Sequence, residues 1–212
     1  MINGFLYGIR KFWFDLTSGD LIILFASMVL AVTAISGVSF LGDRLQSSIK
    51  QQASVVLAAD AALRSTSPLP KAYLKKAEDQ GIQTAETISF LSMALANDNN
   101  LLSSIKATTS NYPLRGELKL TDFNQQQLNI ETGSPKPGYV WVEPKLAEEF
   151  NLKQNSELII GNATFVVEAI LTSFPDRNVG FLAFSPTIIV NMDDLEKMQV
   201  IQTGSRVVYR QL

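Results

Sequence analysis

Paired acidic side chains are the first place to look for chemistry in a chain of 212 residues that has neither histidine nor cysteine. Asp193-Asp194, followed by Glu196, is the densest carboxylate cluster. Adjacent residues on a helix do not face one another, so these two cannot share a proton as general acid and base. Negative charge at a helix start accounts for them. Glu148-Glu149 fits the solvated face of a short helix. The loop Gly133-Ser134-Pro135-Lys136-Pro137-Gly138 carries glycine but not the lysine position and spacing of a phosphate-binding loop. Lys71, Lys75 and Lys76 fit a wet helix face, with anionic headgroups as the alternative contact. Phe174, Phe181 and Phe184, interleaved with Pro175 and Gly180, fit core packing, with a partner surface as the alternative.

The missing residue types exclude whole classes of site. Without histidine and cysteine there is no Ser-His-Asp or Cys-His apparatus, no zinc site of the usual Cys/His types, no thiolate-held iron–sulfur cluster and no disulfide. The 18 basic and 20 acidic residues leave a formal charge of -2, which gives no electrostatic case for binding nucleic acid, whose counterions a basic face must displace. No catalytic residue, cofactor-binding residue or metal ligand stands out, and the chain does not read as an enzyme. Charged residues make up 18% of the chain, and its mean hydropathy is positive, so some segment is more apolar than a soluble surface tolerates.

That segment is Leu21–Gly42, LIILFASMVLAVTAISGVSFLG, uncharged and bounded by Asp20 and Asp43. As a helix it is about 33 Å long, and a bilayer's hydrocarbon core is about 30 Å thick. Its hydroxyls on Ser27, Thr33, Ser36 and Ser39 can bond back to helix carbonyls. A buried core helix would show a polar stripe, and a signal h-region would be shorter. Ahead of it, Phe5, Ile9, Phe12, Trp13 and Leu16 recur at helical spacing beside Arg10 and Lys11. This fits a helix in the headgroup layer, or one packed on other helices. The charges Arg10 and Lys11 on one side and Arg44 and Lys50 on the other leave the orientation open.

The expected organisation is an amphipathic interfacial helix over 1–18, a transmembrane helix over 19–42, a helical stalk over 43–58 and a mixed α+β domain over 59–212. In that domain strands are expected at Ala59–Arg64, Ile82–Ala96, Leu101–Thr109, Glu117–Thr121, Leu128–Glu131, Tyr139–Glu143, Glu157–Ile160, Ala163–Leu171, Thr187–Asn191 and Arg206–Gln211. Helices are expected at Lys71–Gln80 and Pro144–Phe150, with a helical turn at Asp193–Met198 and turns at Asn97–Asn100 and Gly161-Asn162.

Several stretches, in order and nearly end to end, resemble a known family. They are Leu16–Leu45, LAADAALRSTSPLP (Leu57–Pro70), ETISFLSM (Glu86–Met93), NYPLRGEL (Asn111–Leu118), VWVEPKLAEEFNL (Val140–Leu152), PDRNVGFLAFSPTIIVNMDDL (Pro175–Leu195) and QTGSRVVYR (Gln202–Arg210). Together they are similar to the N-terminal part of the MacB/FtsX-like permease superfamily of ABC transporters, and within it to YbbP-type permeases. The resemblance implies one span leading into an α+β extracytoplasmic domain of the MacB periplasmic-core type. It implies a cytoplasmic N-terminus at the bacterial inner membrane. The implied partners are a separate cytoplasmic ATPase subunit, membrane lipids, and a second permease copy or the C-terminal permease portion; no nucleic acid and no cofactor is implied. Action on lipids, lipoproteins or peptides outside the membrane is the implied role. Permeases of this kind continue into further spans, so a fragment, a truncated product and one piece of a split permease are the expectations for this chain. Two loops are expected to make partner contacts: Tyr112, Pro113, Leu114, Arg115 and Gly116 in one, Pro175, Asp176, Arg177 and Phe181 in the other. The alternative reading is a stand-alone membrane-anchored binding or scaffold protein; a secreted domain freed by signal cleavage is a third.

Overall fold

A computed structural model describes residues 19–123, 126–177, 184–202 and 204–212. The expected interfacial helix over 1–18 and Phe181 lie outside the described residues. The chain divides into two units, Met1–Gln51 and Gln52–Leu212.

The first unit contributes most of helix α1, Gly19–Leu57. Within it, Ile22–Gln46 is long and apolar enough to cross a membrane, and none of that stretch is buried. Its large side chains, from Ile22 and Phe25 through Leu30 and Ile35 to Leu41, are exposed on every side. A helix that is apolar all round has no solvated face; a membrane span or the core of a larger assembly accepts it. Two of its hydroxyls behave as the sequence implies: Ser27 donates to the Leu24 carbonyl at 2.8 Å and Thr33 to the Val29 carbonyl at 2.7 Å. Neither leaves a donor to be desolvated.

The second unit is an α+β domain in which the sheet dominates. After α1 come β1 (Leu63–Ser65), α2 (Lys71–Asp79), β2 (Glu86–Ala96), β3 (Asn99–Thr108), β4 (Leu118–Thr121), β5 (Gln127–Ile130), β6 (Tyr139–Val142), α3 (Pro144–Glu149), β7 (Glu157–Ile160), β8 (Ala163–Ser173), β9 (Thr187–Asn191), a 3-10 turn (Met192–Asp194), α4 (Leu195–Met198) and β10 (Val207–Gln211). Local chemistry sets the joints. Asn97 and Asp98 both take positive φ, at 48° and 62°, which suits a two-residue hairpin turn between β2 and β3. Gly81 at φ 72° closes α2, its amide and that of Ile82 returning to the Glu78 and Ala77 carbonyls.

The pairings close on themselves. β2 pairs with β3, β3 with β9, β9 with β6, β6 with β8, β8 with β7, and β7 with β2, a circuit of six strands. Its interior is filled by Phe90, Ile105, Val140, Val142, Leu158, Ile160, Phe165, Val167, Ile188 and Val190, with Leu146 of α3 and Phe150 just after it. A second core lies on the outer side of the same strands. There Trp141, Ile189, Ala169 and Leu171 pack with Leu118, Leu120, Tyr112 and Phe174. Strand alternation sends Ile188 and Val190 to one core and Ile189 to the other. In β8 a register shift falls between Val167 and Ala169, so residues of equal parity serve different cores.

One expected strand is corrected. In Ala59–Arg64 the first three residues are a bend, and only Leu63–Ser65 pairs, with β10. Ala58 leaves the helix at φ 61°, and the Ala58 carbonyl accepts from the amides of Leu114 and Arg115, both at 2.9 Å. The alanines there are apolar because Ala58 and Ala59 are packed into the second core. The expected strand at Ile82 begins only at Glu86. Phe184 is exposed, unlike Phe174, so the aromatic segment does not pack as one block.

Gly161, in the β7–β8 turn at φ 58°, is held against α4: a Cβ there would sit 2.2 Å from the Met198 carbonyl oxygen. Gly161→Ala is expected to cost on the order of 2 kcal/mol or more, from the backbone conformation and the forced displacement together. Chemical denaturation followed by Trp141 fluorescence checks it; an unchanged midpoint would refute the close approach.

Candidate functional site: a buried charge cluster joining two loops

Lys106 sits in β3 between Ile105 and Ala107, which face the barrel interior. Alternation therefore places Lys106 on the outer face, where its register partners are Ser89 and Ile189. That face is covered by the second core, and Lys106 is only 1% exposed. An ammonium so deep needs partners. Asp176 supplies them: Lys106 Nζ lies 2.8 Å from Asp176 Oδ1 and donates to the Asp176 carbonyl at 3.2 Å. The amine also stands 5.0 Å from the centre of the Phe174 ring and 5.7 Å from that of Tyr112.

Asp176 is the hub. It is buried, its backbone at φ 52°, a conformation aspartate tolerates better than most residues. Tyr112, fully buried, donates from its hydroxyl to Asp176 Oδ1 and to the Pro175 carbonyl. Arg210 of β10 donates to Asp176 Oδ2 at 2.7 Å. One carboxylate thus stands between two cations and a phenol. Next to it, Arg177 pairs with Glu143 and lies 5.4 Å from the Phe174 ring centre, while Glu143 Oε2 accepts from the Thr187 amide at 2.6 Å.

Burial pushes the Lys106 amine below the usual lysine range, against the opposing pull of Asp176. Burial, the Asp176 charge and its hydrogen bond push the Tyr112 phenol well above the usual 10.0. A sealed amine that already gives two hydrogen bonds has no path to a substrate, and the arrangement acts as a tie between segments. The titrations have opposite signs. Tyr112 contributes stability that is complete below about pH 10 and is lost as pH climbs toward its raised folded value; the penalty carried by Lys106 is present at neutral pH and relieved as pH approaches 10.5. The stability gap between the parent and Tyr112→Phe is therefore expected to narrow above pH 10. Urea unfolding at pH 8 and pH 10.5 measures it, and a constant gap would contradict the buried neutral phenol.

Of the residues singled out from the sequence, the structure brings the two loops together at Tyr112, Pro175 and Asp176. Gly116 lies close against Pro175: a Cβ there would be 3.2 Å from the proline Cβ. Pro113 is buried behind a cis peptide bond from Tyr112, and Leu114 packs on the second core. Among the described residues of the two loops that were expected to make contacts, two are exposed. Arg115 forms a two-pronged pair with Asp60, at 2.9 and 2.6 Å, and Arg177 reaches Glu143. The Asp60 hydrogen bond raises the arginine above its usual value and lowers the aspartate. Both partners are open to water, so Arg115→Ala is expected to leave the melting temperature unchanged within error. A clear drop in a thermal scan would mean the pair is structural.

Lys106, Arg210 and Glu143 were not legible as site residues. The available signal was a single lysine in the otherwise uncharged β3 run NNLLSSIKAT.

No protein-family model matches the chain. A curated protein of Escherichia coli strain K12, described as the uncharacterized ABC transporter permease YbbP, is 30% identical to it over 201 residues, which is 95% of this chain and 24% of that protein. Among solved structures, the periplasmic region of MacB from Actinobacillus actinomycetemcomitans matches with a TM-score of 0.42 and 11% identity, over 66% of this chain and 64% of that one. The chain thus spans about a quarter of the length of the curated relative. The alignment shows what the chain is similar to: an ABC transporter permease, over about one quarter of that protein's length.

Proposed function

We propose that the chain works as the membrane-anchoring and extracytoplasmic portion of a permease subunit in the bacterial inner membrane, with its N-terminus in the cytoplasm. A separate cytoplasmic ATPase hydrolyses ATP, and the motion reaches the β-domain, which acts on lipid, lipoprotein or peptide export. The observation that carries this reading is the match of 95% of the chain to an ABC transporter permease. Helix α1, unbroken over 39 residues, supports it, because a long helix can pass on a tilt that a flexible linker would absorb. The exposed Arg115 and Arg177, on the two loops that meet at Asp176, are proposed as its partner-contact side chains.

The test is affinity purification of the full chain from its native membrane. Copurification of an ATPase with nucleotide-binding motifs, lost on deletion of α1, is the expected result. Recovery of a soluble extracytoplasmic partner and no ATPase would replace the reading with a stand-alone anchored scaffold.

A further inference from the structure

The outer face of the sheet carries a cavity beside the charge cluster, with which it shares Arg210. It encloses about 560 Å³ along β1, β10, β2 and β3, with Arg64, Arg206, Arg210, Leu91 and Val208 in its lining. Volumes of a few hundred to about a thousand Å³ are typical of small-ligand sites.

Its charges are not balanced. Arg64 and Arg210 stand directly opposite one another on β1 and β10, and partners in an antiparallel pair share a face. Like charges so placed repel. Arg210 is satisfied by Asp176. Arg64 and Arg206 have no acidic partner among the described residues, and no aspartate or glutamate lines the cavity. Beside these guanidiniums, Leu91 and Val208 give an apolar wall. A bare inorganic anion would leave that wall wet. A purely apolar ligand would strip water from the guanidiniums and return nothing.

We propose that this cavity binds a small amphiphilic anion: one carboxylate or phosphate held by Arg64 and Arg206, on an unbranched apolar chain laid along Leu91 and Val208. The site is separate from the proposed partner-contact residues and does not depend on the permease relationship.

The test is photolabelling of the full chain in phosphatidylcholine nanodiscs with a diazirine-bearing octanoate, mapped by mass spectrometry. Label is expected on the β2 and β10 peptides. Octanoate should compete it away, while octanol and inorganic phosphate at the same concentration should not. Arg64→Gln with Arg206→Gln should lower this label roughly tenfold, the loss of two charge-assisted contacts. Label on α1 from probe dissolved in the bilayer should stay constant, and the variant's melting temperature should match the parent's, since both arginines are exposed. Suppression of the groove label by phosphatidylglycerol in the disc also supports the site and assigns its anion to a bilayer lipid. Absence of groove label, equal competition by octanol or by phosphate, or full labelling of the double variant would each overturn the proposal.

Discussion

Asp176→Asn is expected to lower the melting temperature of the β-domain by roughly 6–20 °C. Asparagine keeps the shape and tolerates the left-handed backbone of Asp176, so the change isolates the charge. What it strands is Lys106, 1% exposed and without another carboxylate within salt-bridge distance among the described residues. Removing one partner of a buried ion pair typically costs about 3–5 kcal/mol. For a domain of this size each kcal/mol moves the midpoint by roughly 2–4 °C. Arg210, 27% exposed at its side chain, can turn to water and softens the loss. Lys106→Met in the same chain removes the stranded charge, and the double variant is expected to recover at least half of the drop. Thermal scans of the parent, both single variants and the double variant form a cycle. If the two losses simply add, Lys106 and Asp176 are not coupled and the tie between the loops is not electrostatic.

Two arginines in α1 are expected to release the chain from the membrane, where one is not. Between Ile22 and Leu41 the helix has eleven Leu, Ile, Val and Phe side chains. At roughly 0.3–0.6 kcal/mol each they favour insertion by about 3–7 kcal/mol, and a central arginine costs about 2.5–3.5. Ala34→Arg alone leaves the balance near or below zero, so the variant stays membrane-bound. Ala31→Arg with Ala34→Arg costs about 5–7 kcal/mol and cancels the drive. Carbonate extraction of membranes separates the cases. Retention of the double variant in the pellet would show that something other than α1 anchors the chain.

The elements that were readable are those governed by local chemistry. Leu21–Gly42 is apolar without a stripe, and over Ile22–Gln46 the helix has no buried face. Asn97-Asp98 and Gly161 demand positive φ, and they turn where expected. Thr187–Asn191 is a strand at the bounds its apolar run implies. Asp193 and Asp194 lie at a helix start, but they divide: Asp193 is exposed, whereas Asp194 is fully buried and accepts from the Gly138 amide at 2.7 Å and from Lys197 at 2.6 Å. No local rule separates them, because burial is decided by what packs over the turn.

The candidate site was half visible for the same reason. Its loops drew attention through their prolines, glycines and charges, yet their meeting at Asp176 spans more than 60 positions in sequence. By its neighbours in sequence Lys106 is one lysine in a strand. Only the second core, assembled from Tyr112, Phe174 and strands distant in the chain, makes its surroundings dry.

Composition and order of residues alone determined that histidine and cysteine chemistry is closed to this chain, that one segment suits lipid, and that the remainder alternates as a sheet-rich α+β domain. Those are short-range facts, set by side-chain type, spacing and backbone preference. The closed circuit of six strands, the bulge that divides β8 between two cores, and the burial of Lys106 against Asp176 were decided by tertiary structure. Each depends on which strand lies beside which, and that is settled by contacts summed over the whole domain rather than by any residue's neighbours in sequence.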